Sequence, residues 1–443
     1  MTRSTQTRLS PTLSVLDVVA LTVGVVIGAS IFKTPALVAE SAGHPLLVLG
    51  VWGLGGAISF VGALCYAELA STYPHAGGDY RYFQRAYGDG VAILFAWARL
   101  AVIQTGSIAL LAFVFGDYAT ELWSLGPHSS ALYAAGAIVV LTALNVAGVQ
   151  LGKTAQRALT AVTVLGLLVI IGAGLFVSPD LSAAPASSGG TAGGASGFGM
   201  AMVFVLLTYG GWSEAAFISA ELRNVQRNMA RALLASLGLI TTLYLLVNWA
   251  YLEGLGTGRM GGSDAVAADL MRVTLGAPGA VALSLIAIVA ALSSANATIF
   301  TGARTNYALG QDVSLFARLG RWSDRANTPA NALLVQGGVA LALVGVGAWT
   351  RQGFESMVDY TAPVFWLFLL LTGVSLFVLR RTEPNVDRSF RVPWYPWTPL
   401  AFCLASAYML WSSLAYTGVG ALLGASVVLA GLPILWLRRG STD

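Results

Sequence analysis

The feature that most constrains this chain is an apolar stretch of roughly 20 residues that recurs along its whole length. Each stretch is long enough to cross the roughly 30 Å of hydrocarbon in a bilayer as an α-helix. Only 10% of the residues are charged and the mean hydropathy is +0.74, whereas soluble domains carry about 25% charged residues. The sequence therefore predicts an all-α polytopic membrane protein with about twelve transmembrane helices. These spans are expected at 14–38, 46–71, 90–116, 131–150, 155–177, 199–221, 230–253, 279–308, 329–349, 356–379, 396–415 and 418–437.

Lys and Arg residues are distributed unevenly between the two sets of segments that flank these spans. The set that includes the N-terminus carries 18 of them, and the other set carries three, Arg259, Arg272 and Arg351. Because cytoplasmic loops are enriched in Lys and Arg, this bias predicts a multi-pass protein of the plasma (inner) membrane with both termini in the cytoplasm. The polar N-terminus runs straight into an apolar span, which favours a first transmembrane helix over a removable signal peptide. The two cysteines, Cys65 and Cys403, lie in apolar spans and imply no disulfide framework.

Two connecting segments stand out by their composition. Residues 179–197 are rich in Ser, Gly and Ala and predict a flexible external loop. The segment PHAGGDYRYFQRAYGD, Pro74–Asp89, is too aromatic for a plain linker, so we expect it to pack under the helix bundle. No separate soluble domain is expected.

Two spans contain glycines in the middle of their apolar stretch. The first span reads GVVIGASIF at Gly24–Phe32, and the sixth reads LLTYGGWSEAAF at Leu206–Phe217. The GxxxG spacing of Gly24 and Gly28 also suits close packing of two helices. Interruptions at corresponding positions of two halves nevertheless indicate a transporter built from inverted repeats. A broken helix exposes N–H and C=O groups, which must line a cavity and can bind the two charges of a zwitterion.

Three motifs connect the chain to a known family. GVVIGASIFKTP, YAELASTYPHAGGDYRYF and YGGWSEAAFISAELRNVQRNMARAL resemble signatures of the amino acid–polyamine–organocation (APC) superfamily, nearest to its bacterial amino-acid permeases and L-type amino-acid transporters. The resemblance runs from about Leu13 to Leu437. It implies a LeuT-type fold, in which helices 1–5 and 6–10 are inverted repeats, helices 1 and 6 are broken at the bilayer midplane, and helices 11 and 12 are appended. The implied division is 1–13 cytoplasmic tail, 14–178 first repeat, 179–197 external loop, 198–381 second repeat, 382–395 cytoplasmic linker, 396–437 helices 11 and 12, and 438–443 cytoplasmic tail.

The resemblance also implies a substrate site at the two breaks. The family motif G-S-G-I-F falls on Gly28–Phe32, with Ala29 and Ser30 where Ser and Gly are usual. The N–H donors survive this change, while Ser30 implies a tighter pocket or a hydroxyl that contacts the substrate carboxylate. Leu207 replaces the gating phenylalanine of many L-type relatives, so Trp212 either caps the substrate instead or is a packing residue. The implied ligands are Gly28 and the N–H groups of Ala29, Ser30 and Ile31 for the carboxylate, and the carbonyls of Val26, Leu207, Thr208 and Gly210 for the ammonium.

Ionisable residues at membrane depth are functional candidates because they are costly to bury. Glu214 follows the second break and is either a proton carrier or a hydrogen-bond acceptor for the unwound segment. Glu68 and Glu221, near the cytoplasmic ends of spans 2 and 6, suit an inner gate or a helix-end pairing. Arg99, inside span 3, needs an acceptor such as Glu68 or a freed carbonyl, unless it snorkels inward. The candidate partners of the two glutamates are Arg85, Arg223 and Arg227.

Span 8 contains a candidate ion site. Its AALSS stretch, Ala290–Ser294, resembles the sodium-binding stretch of sodium-coupled relatives in the wider fold superfamily. Many sodium-independent members place a lysine where this chain has Thr163, which leaves the region empty, or open to water or Na⁺. Five neutral oxygens suit a small hard cation, although serines in membrane helices also make interhelical hydrogen bonds. The implied oxygens are the carbonyls of Gly24, Ile27 and Ala290 and the hydroxyls of Ser293 and Ser294. Apart from Na⁺ or H⁺ as a coupling ion, no cofactor is expected.

Several function classes do not fit this sequence. The three histidines lie in loops, and the chain has no HExxH, GxSxG or Walker A motif and no visible pore-lining charge ring, which argues against an enzyme, an ATP-driven pump and a channel. The predicted function is secondary active transport of neutral, small-to-medium L-amino acids by a monomer or weak homodimer in the lipid bilayer, with no nucleic-acid partner. No carboxylate is evident on helices 3, 8 or 10 to receive a second amine. A cationic amino acid or polyamine exchanger stays an alternative, as does an amino-acid sensor that does not transport. Side-chain contacts placed by depth are Thr105, Asn296 and Thr361.

Overall fold

The computed structural model describes residues 13–75, 77–148, 153–176, 195–323, 326, 328–350, 352–416 and 418–433. Within these residues the chain is helical, with two isolated bridges, Leu13 to Leu222 and Ser323 to Thr328, and no strand. Short 3-10 segments at Ala29–Phe32 and Trp212–Glu221 interrupt the α-helices, and a π-helical turn, Arg99–Ile103, joins α5 to α6. The helices are α1 (Val15–Val26), α2 (Thr34–Ala42), α3 (Pro45–Thr72), α4 (Asp79–Tyr87), α5 (Asp89–Ala98), α6 (Gln104–Leu122), α7 (Ser129–Val146), α8 (Lys153–Leu175), α9 (Ala195–Tyr209), α10 (Val225–Gly261), α11 (Val266–Asp312), α12 (Ala330–Thr350), α13 (Gly353–Thr382), α14 (Trp397–Tyr416) and α15 (Gly418–Leu429).

In the described part of the chain, nine helices are long and apolar enough to cross a membrane. They are α3, α7, α8, α10 to α14 and the continuous rod of α5 and α6. This confirms a multi-pass, all-helical membrane protein. Predicted spans 1 and 6 fall short of this length because each is interrupted, and α15 covers only part of span 12. The expectations for the two tails (residues 1–12 and 434–443) and for most of the 179–197 loop lie outside the described residues.

The aromatic segment between spans 2 and 3 packs against the bundle, as its composition predicts. It forms α4, on which Tyr82 and Phe83 are fully buried while Arg85 stays largely exposed. The Phe83 ring meets Phe95 of α5 at 4.9 Å and Phe368 of α13 at 5.9 Å between centroids. The helix α4 is therefore fixed to α5 and α13.

Buried apolar side chains form two clusters. The first is built mainly on α2, α3, α9, α10, α11 and α13 and includes Trp52, Tyr209 and Tyr244, whose rings lie 5.1–6.0 Å apart. The second is built mainly on α4 to α7, α12 and α13. Helices α6, α11 and α13 contribute buried residues to both clusters and so connect them.

Candidate functional site

The first break separates α1 from α2. After Val26 the backbone leaves the helix, Gly28 is extended (φ −93°, ψ −164°), and the 3-10 segment Ala29–Phe32 follows. The Gly28 N–H turns back to the Val26 carbonyl at 2.7 Å. The first N–H groups of a helix have no hydrogen-bond partner within that helix, so they can bind a group that lies at the break. Among the predicted carboxylate donors, the N–H groups of Ala29 and Ser30 precede the first hydrogen bond of the 3-10 segment. The Ile31 N–H is the first that can bond within the segment, to the carbonyl of the N-cap residue Gly28.

The second break separates α9 from the 3-10 segment Trp212–Glu221. The helix α9 ends at Tyr209, and the Gly210 N–H bonds back to the Leu207 carbonyl at 3.0 Å. Gly211 then takes φ +95°, a left-handed conformation that is strained for residues with a side chain. The paired glycines thus provide the change of direction that ends α9.

Tyr244 of α10 connects the two breaks. Its hydroxyl donates to the Val26 carbonyl at 2.8 Å and lies 3.4 Å from the Thr208 carbonyl, and the Thr208 hydroxyl donates to that of Thr34 at 2.8 Å. Val26 therefore accepts two hydrogen bonds, from Gly28 and Tyr244, which occupy the two lone pairs of its oxygen. Sequence reasoning missed Tyr244; the only signal was a hydroxyl in the apolar run of span 7.

The first break also lies against the predicted ion-binding stretch. A Cβ added to Gly28 would lie 3.0 Å from Ser294 Oγ on α11, and one added to Gly24 would lie 2.5 Å from Thr160 Oγ1 on α8. Thr163, one turn from Thr160, is buried and donates its proton to the Leu159 carbonyl at 3.0 Å. The structure thus brings Gly28, a predicted substrate-site residue, close to Ser294, a predicted ion ligand. The remaining predicted oxygen donors Ile27, Ala290 and Ser293 are also buried.

Trp212 packs on the side of the break that faces α3. Its ring meets Tyr66 edge-on at 5.0 Å, and a Cβ added to Gly62 would lie 2.8 Å from it. The structure therefore gives Trp212 a packing contact with α3. It also lines a small cavity with Ser59, Gly210, Trp366 and Phe402.

The side chains predicted by depth alone already have partners. Thr105 and Thr361 donate to the carbonyls of Ala101 and Met357 in their own helices at 3.0 and 2.8 Å. The Asn296 side chain accepts from Asn145 of α7 at 2.7 Å. These contacts indicate structural roles in this conformation.

Arg99, which is buried, and Glu214, which is partly exposed, form an ion pair between the π-helical turn and the second break. Arg99 Nη2 donates to both carboxylate oxygens at 2.9 Å, and the side chains are 6% and 32% exposed. Sequence reasoning expected Glu68 or a freed carbonyl as the acceptor for Arg99; the carboxylate that Arg99 contacts is Glu214, so the choice of Glu68 was wrong. The pair joins residues 115 positions apart, so tertiary packing decides it.

Glu68 belongs to a second cluster of charges, near the end of α3. It accepts from Arg380 Nε at 2.8 Å and from the Val392 N–H at 2.7 Å, and Arg388 Nε lies 3.5 Å away. We call Glu68, Arg380 and Arg388 the inner ion cluster. The expected partner Arg85 instead pairs with Glu383 at 2.9 Å, and the side chain of Glu221 lies outside the described residues.

A third group of charges lies at the opposite end of the helices, just after the first break. Lys33 Nζ is 3.2 Å from Asp117 Oδ2 of α6 and 3.1 Å from Asp264 Oδ1, in the connection between α10 and α11. We call Lys33, Asp117 and Asp264 the outer ion cluster. The sequence showed no carboxylate on helices 3, 8 or 10 that would receive a second amine. Helices α6 and α13 extend beyond predicted spans 3 and 10 and carry Asp117 and Glu355 in these extensions.

Two interrupted helices that meet inside a polytopic helical protein are typical of secondary transporters. A model of the amino acid permease family matches residues 13–434. The chain is 30% identical over 417 residues to b(0,+)-type amino acid transporter 1 of Mus musculus, covering 91% of this chain and 82% of that protein. It is 25% identical to the serine/threonine exchanger SteT of Bacillus subtilis (strain 168), covering 96% of both, and 28% identical to large neutral amino acids transporter small subunit 2 of Mus musculus, covering 94% and 78%. The chain therefore belongs to the amino acid permease family of the APC superfamily, a family of membrane transporters and not of enzymes.

Proposed function

We propose that this permease is a secondary active transporter of amino acids that works by alternating access around the two breaks. The observation that carries the proposal is the bridge made by Tyr244, because it places the unwound ends of α1 and α9 side by side. One end offers N–H donors and the other offers carbonyls. A zwitterion needs both at a short, fixed separation.

The substrate carboxylate then binds the N–H groups of Ala29 and Ser30. Its ammonium binds carbonyls of the second break, with Thr208 and Gly210 better placed than Val26, whose oxygen already accepts two hydrogen bonds.

The Tyr244 hydroxyl donates to the carbonyl of Val26, one of the carbonyls assigned to the ammonium, and therefore competes with the ammonium. Tyr244→Phe should raise the affinity for substrate several-fold while leaving the fold intact, measured by substrate-induced thermal stabilisation of the purified protein. Unchanged affinity would place the ammonium elsewhere.

Neutral small-to-medium amino acids are the proposed substrates. The names of the relatives include serine, threonine and large neutral amino acids, and the described lining of the breaks offers backbone groups and no carboxylate closer than Glu214, which Arg99 holds. Cationic amino acids are the second candidate, favoured by the three carboxylates Asp117, Asp264 and Glu355 around Lys33.

The proposed architecture has twelve transmembrane helices in two inverted five-helix repeats, with both termini in the cytoplasm of the plasma (inner) membrane. In this orientation the outer ion cluster faces outward and the inner ion cluster faces the cytoplasm. Na⁺ at Ser293 and Ser294 or H⁺ at Glu214 are the candidate coupling ions. Protonation of Glu214 would break its ion pair with Arg99, so coupling by H⁺ requires Arg99 to move.

Uptake of labelled alanine, serine, leucine and arginine into proteoliposomes tests this function, with one imposed gradient at a time. Stimulation by Na⁺ would assign the ion to the serines of α11, and stimulation by H⁺ alone would favour Glu214. Uptake that needs only internal amino acid would identify an exchanger. No uptake and no counterflow of any of the four would contradict transport and favour a sensor.

A further inference from the structure

The segment that joins α13 to α14, residues 380–397, is a surface that the proposed transport site does not use. It begins at the end of one membrane-spanning helix, Gly353–Thr382, and ends at the start of another, Trp397–Ala415. Side chains at such a junction lie at the depth of the lipid headgroups, because the apolar spans on either side fill the hydrocarbon. The segment reads RRTEPNVDRSFRVPWYPW, with four arginines and two carboxylates. It therefore carries an excess of positive charge at headgroup depth.

Part of this positive charge is neutralised within the protein, and part is not. Arg380 and Arg388 belong to the inner ion cluster, where both contact the carboxylate of Glu68. Arg381 and Arg391 are exposed, and neither forms an ion pair with a described residue. Two guanidinium groups are thus open to an anion from outside the chain.

The contacts of Glu68 bring these two arginines to one local surface. Arg381 directly follows Arg380, whose Nε donates to Glu68 Oε1 at 2.8 Å. Arg391 directly precedes Val392, whose N–H donates to Glu68 Oε2 at 2.7 Å. Each exposed arginine is therefore one residue away from a group that holds the same carboxylate.

Two exposed tryptophans lie beside these arginines. The Trp394 and Trp397 side chains are 84% and 70% exposed, and Trp394 follows Arg391 by three residues. The ring centroid of Tyr395, between the two tryptophans, lies 3.9 Å from Cζ of Arg380, which holds this stretch against the inner ion cluster. An indole ring is amphipathic and prefers the boundary between hydrocarbon and headgroups. We call Arg381, Arg391, Trp394 and Trp397 the interfacial patch.

The backbone of Trp394 is strained. Its φ of +51° lies in the left-handed region, which bulky residues rarely adopt. The Trp394 carbonyl accepts from the Trp397 N–H at 2.8 Å, and the Thr398 hydroxyl donates to the Pro393 carbonyl at 2.6 Å, so the start of α14 holds this conformation. The indole makes no ring contact or hydrogen bond with a described residue. A tryptophan that is strained and exposed contributes little to packing, which indicates a role in binding.

We propose that the interfacial patch binds the headgroup of an anionic phospholipid, whose phosphate contacts the two arginines and whose glycerol region contacts the two tryptophans. Arginine suits this ligand because its planar guanidinium donates two hydrogen bonds to one phosphate, and basic groups beside a membrane span attract anionic lipids. The assignment to the cytoplasmic leaflet rests on the proposed orientation of the protein. Because the same segment holds Glu68, the bound lipid stabilises the inner ion cluster.

Native mass spectrometry of the purified full-length protein tests this binding, with dioleoylphosphatidylglycerol as the anionic lipid and dioleoylphosphatidylcholine as the neutral one. The unmodified protein should prefer the anionic lipid, and the double variant Arg381→Gln, Arg391→Gln should bind it about tenfold more weakly, because each basic residue beside the headgroup adds to the attraction. Arg227→Gln is the matched control, since Arg227 is an exposed arginine of α10 without an exposed tryptophan nearby in the sequence. It should leave the affinity unchanged. Free glycerol 1-phosphate should not displace the lipid; displacement would indicate a site for a soluble phosphate and contradict the proposal.

Trp394→Gly separates lipid binding from a structural role. The glycine relieves the strained φ, so the melting temperature in detergent should not fall, while the affinity for phosphatidylglycerol should fall about threefold or more because the indole is lost. A lower melting temperature with unchanged lipid affinity would make Trp394 a packing residue and overturn the proposal. Equal affinities for the unmodified protein and the double arginine variant, or an equal loss in Arg227→Gln, would also overturn it. Lipid binding needs no transport, so a protein that binds the lipid but shows no counterflow contradicts the proposed function and leaves this inference intact.

Discussion

The outer and inner ion clusters, at the two ends of this permease, differ in their chemistry. At the outer end, one lysine ammonium contacts Asp117 and Asp264, and the Asp264 side chain is 94% exposed. At the inner end, the guanidinium of Arg380 and a backbone N–H hold Glu68, which is 3% exposed. An ammonium is a point charge on a flexible stem, whereas a guanidinium binds a carboxylate in a fixed geometry. The inner closure should therefore be more rigid, and the outer closure easier to open and more sensitive to salt.

The largest expected effect concerns the site between the two clusters. Gly28→Leu should reduce uptake to background. Any side chain at this position meets Ser294 and fills the space beside the N–H groups of Ala29 and Ser30, which have no partner within the 3-10 segment. Uptake of labelled amino acid into proteoliposomes measures it. The matched control is Gly50→Leu on α3, where an added Cβ meets nothing within 4 Å. Normal transport by a well-folded Gly28→Leu variant would show that the substrate site does not include the first break.

Glu68→Gln tests the rigidity of the inner closure. It leaves Arg380 and Arg388 without their buried counter-charge, and breaking such a pair typically costs about 3–5 kcal/mol. We expect a clearly lower melting temperature in detergent and a large loss of transport. Glu383→Gln, which removes the more exposed partner of Arg85, should have a smaller effect. Equal melting temperatures for the two variants would contradict the assignment of the inner ion cluster as the stronger closure.

Lys33→Met tests the outer closure. Because Asp264 is solvent-exposed, raising the salt from about 0.01 to about 1 M should screen its contact with Lys33 and increase outer opening a few-fold. Alkylation of Ala265→Cys, at a buried position beside Asp264, reports this opening. Lys33→Met should give fast labelling that no longer depends on salt. A salt dependence that persists in Lys33→Met would place the screened contact elsewhere.

The sequence predicted those parts of the molecule that depend on local pattern. Apolar length and glycine position were enough for nine spans in the described part of the chain and for the breaks at Gly28 and Gly210, because bilayer thickness and backbone freedom are local constraints. The pairing of charges could not be predicted in this way. Glu68 and Arg380 are 312 positions apart, and the bridge from Tyr244 to Val26 spans 218. Such contacts depend on how the helices pack, and one sequence offers several arginines for each glutamate.

The measurement that tests the central claim most directly compares the two ends in one protein preparation. Ser219→Cys, at a buried position of the 3-10 segment, and Ala265→Cys are each made in a Cys65→Ala, Cys403→Ala background and are alkylated with and without a transported amino acid. Alternating access predicts that Lys33→Met raises labelling at Ala265→Cys without raising it at Ser219→Cys, and that substrate slows both by occupying the site. Labelling that rises at both ends together would indicate a continuous pore and contradict the account.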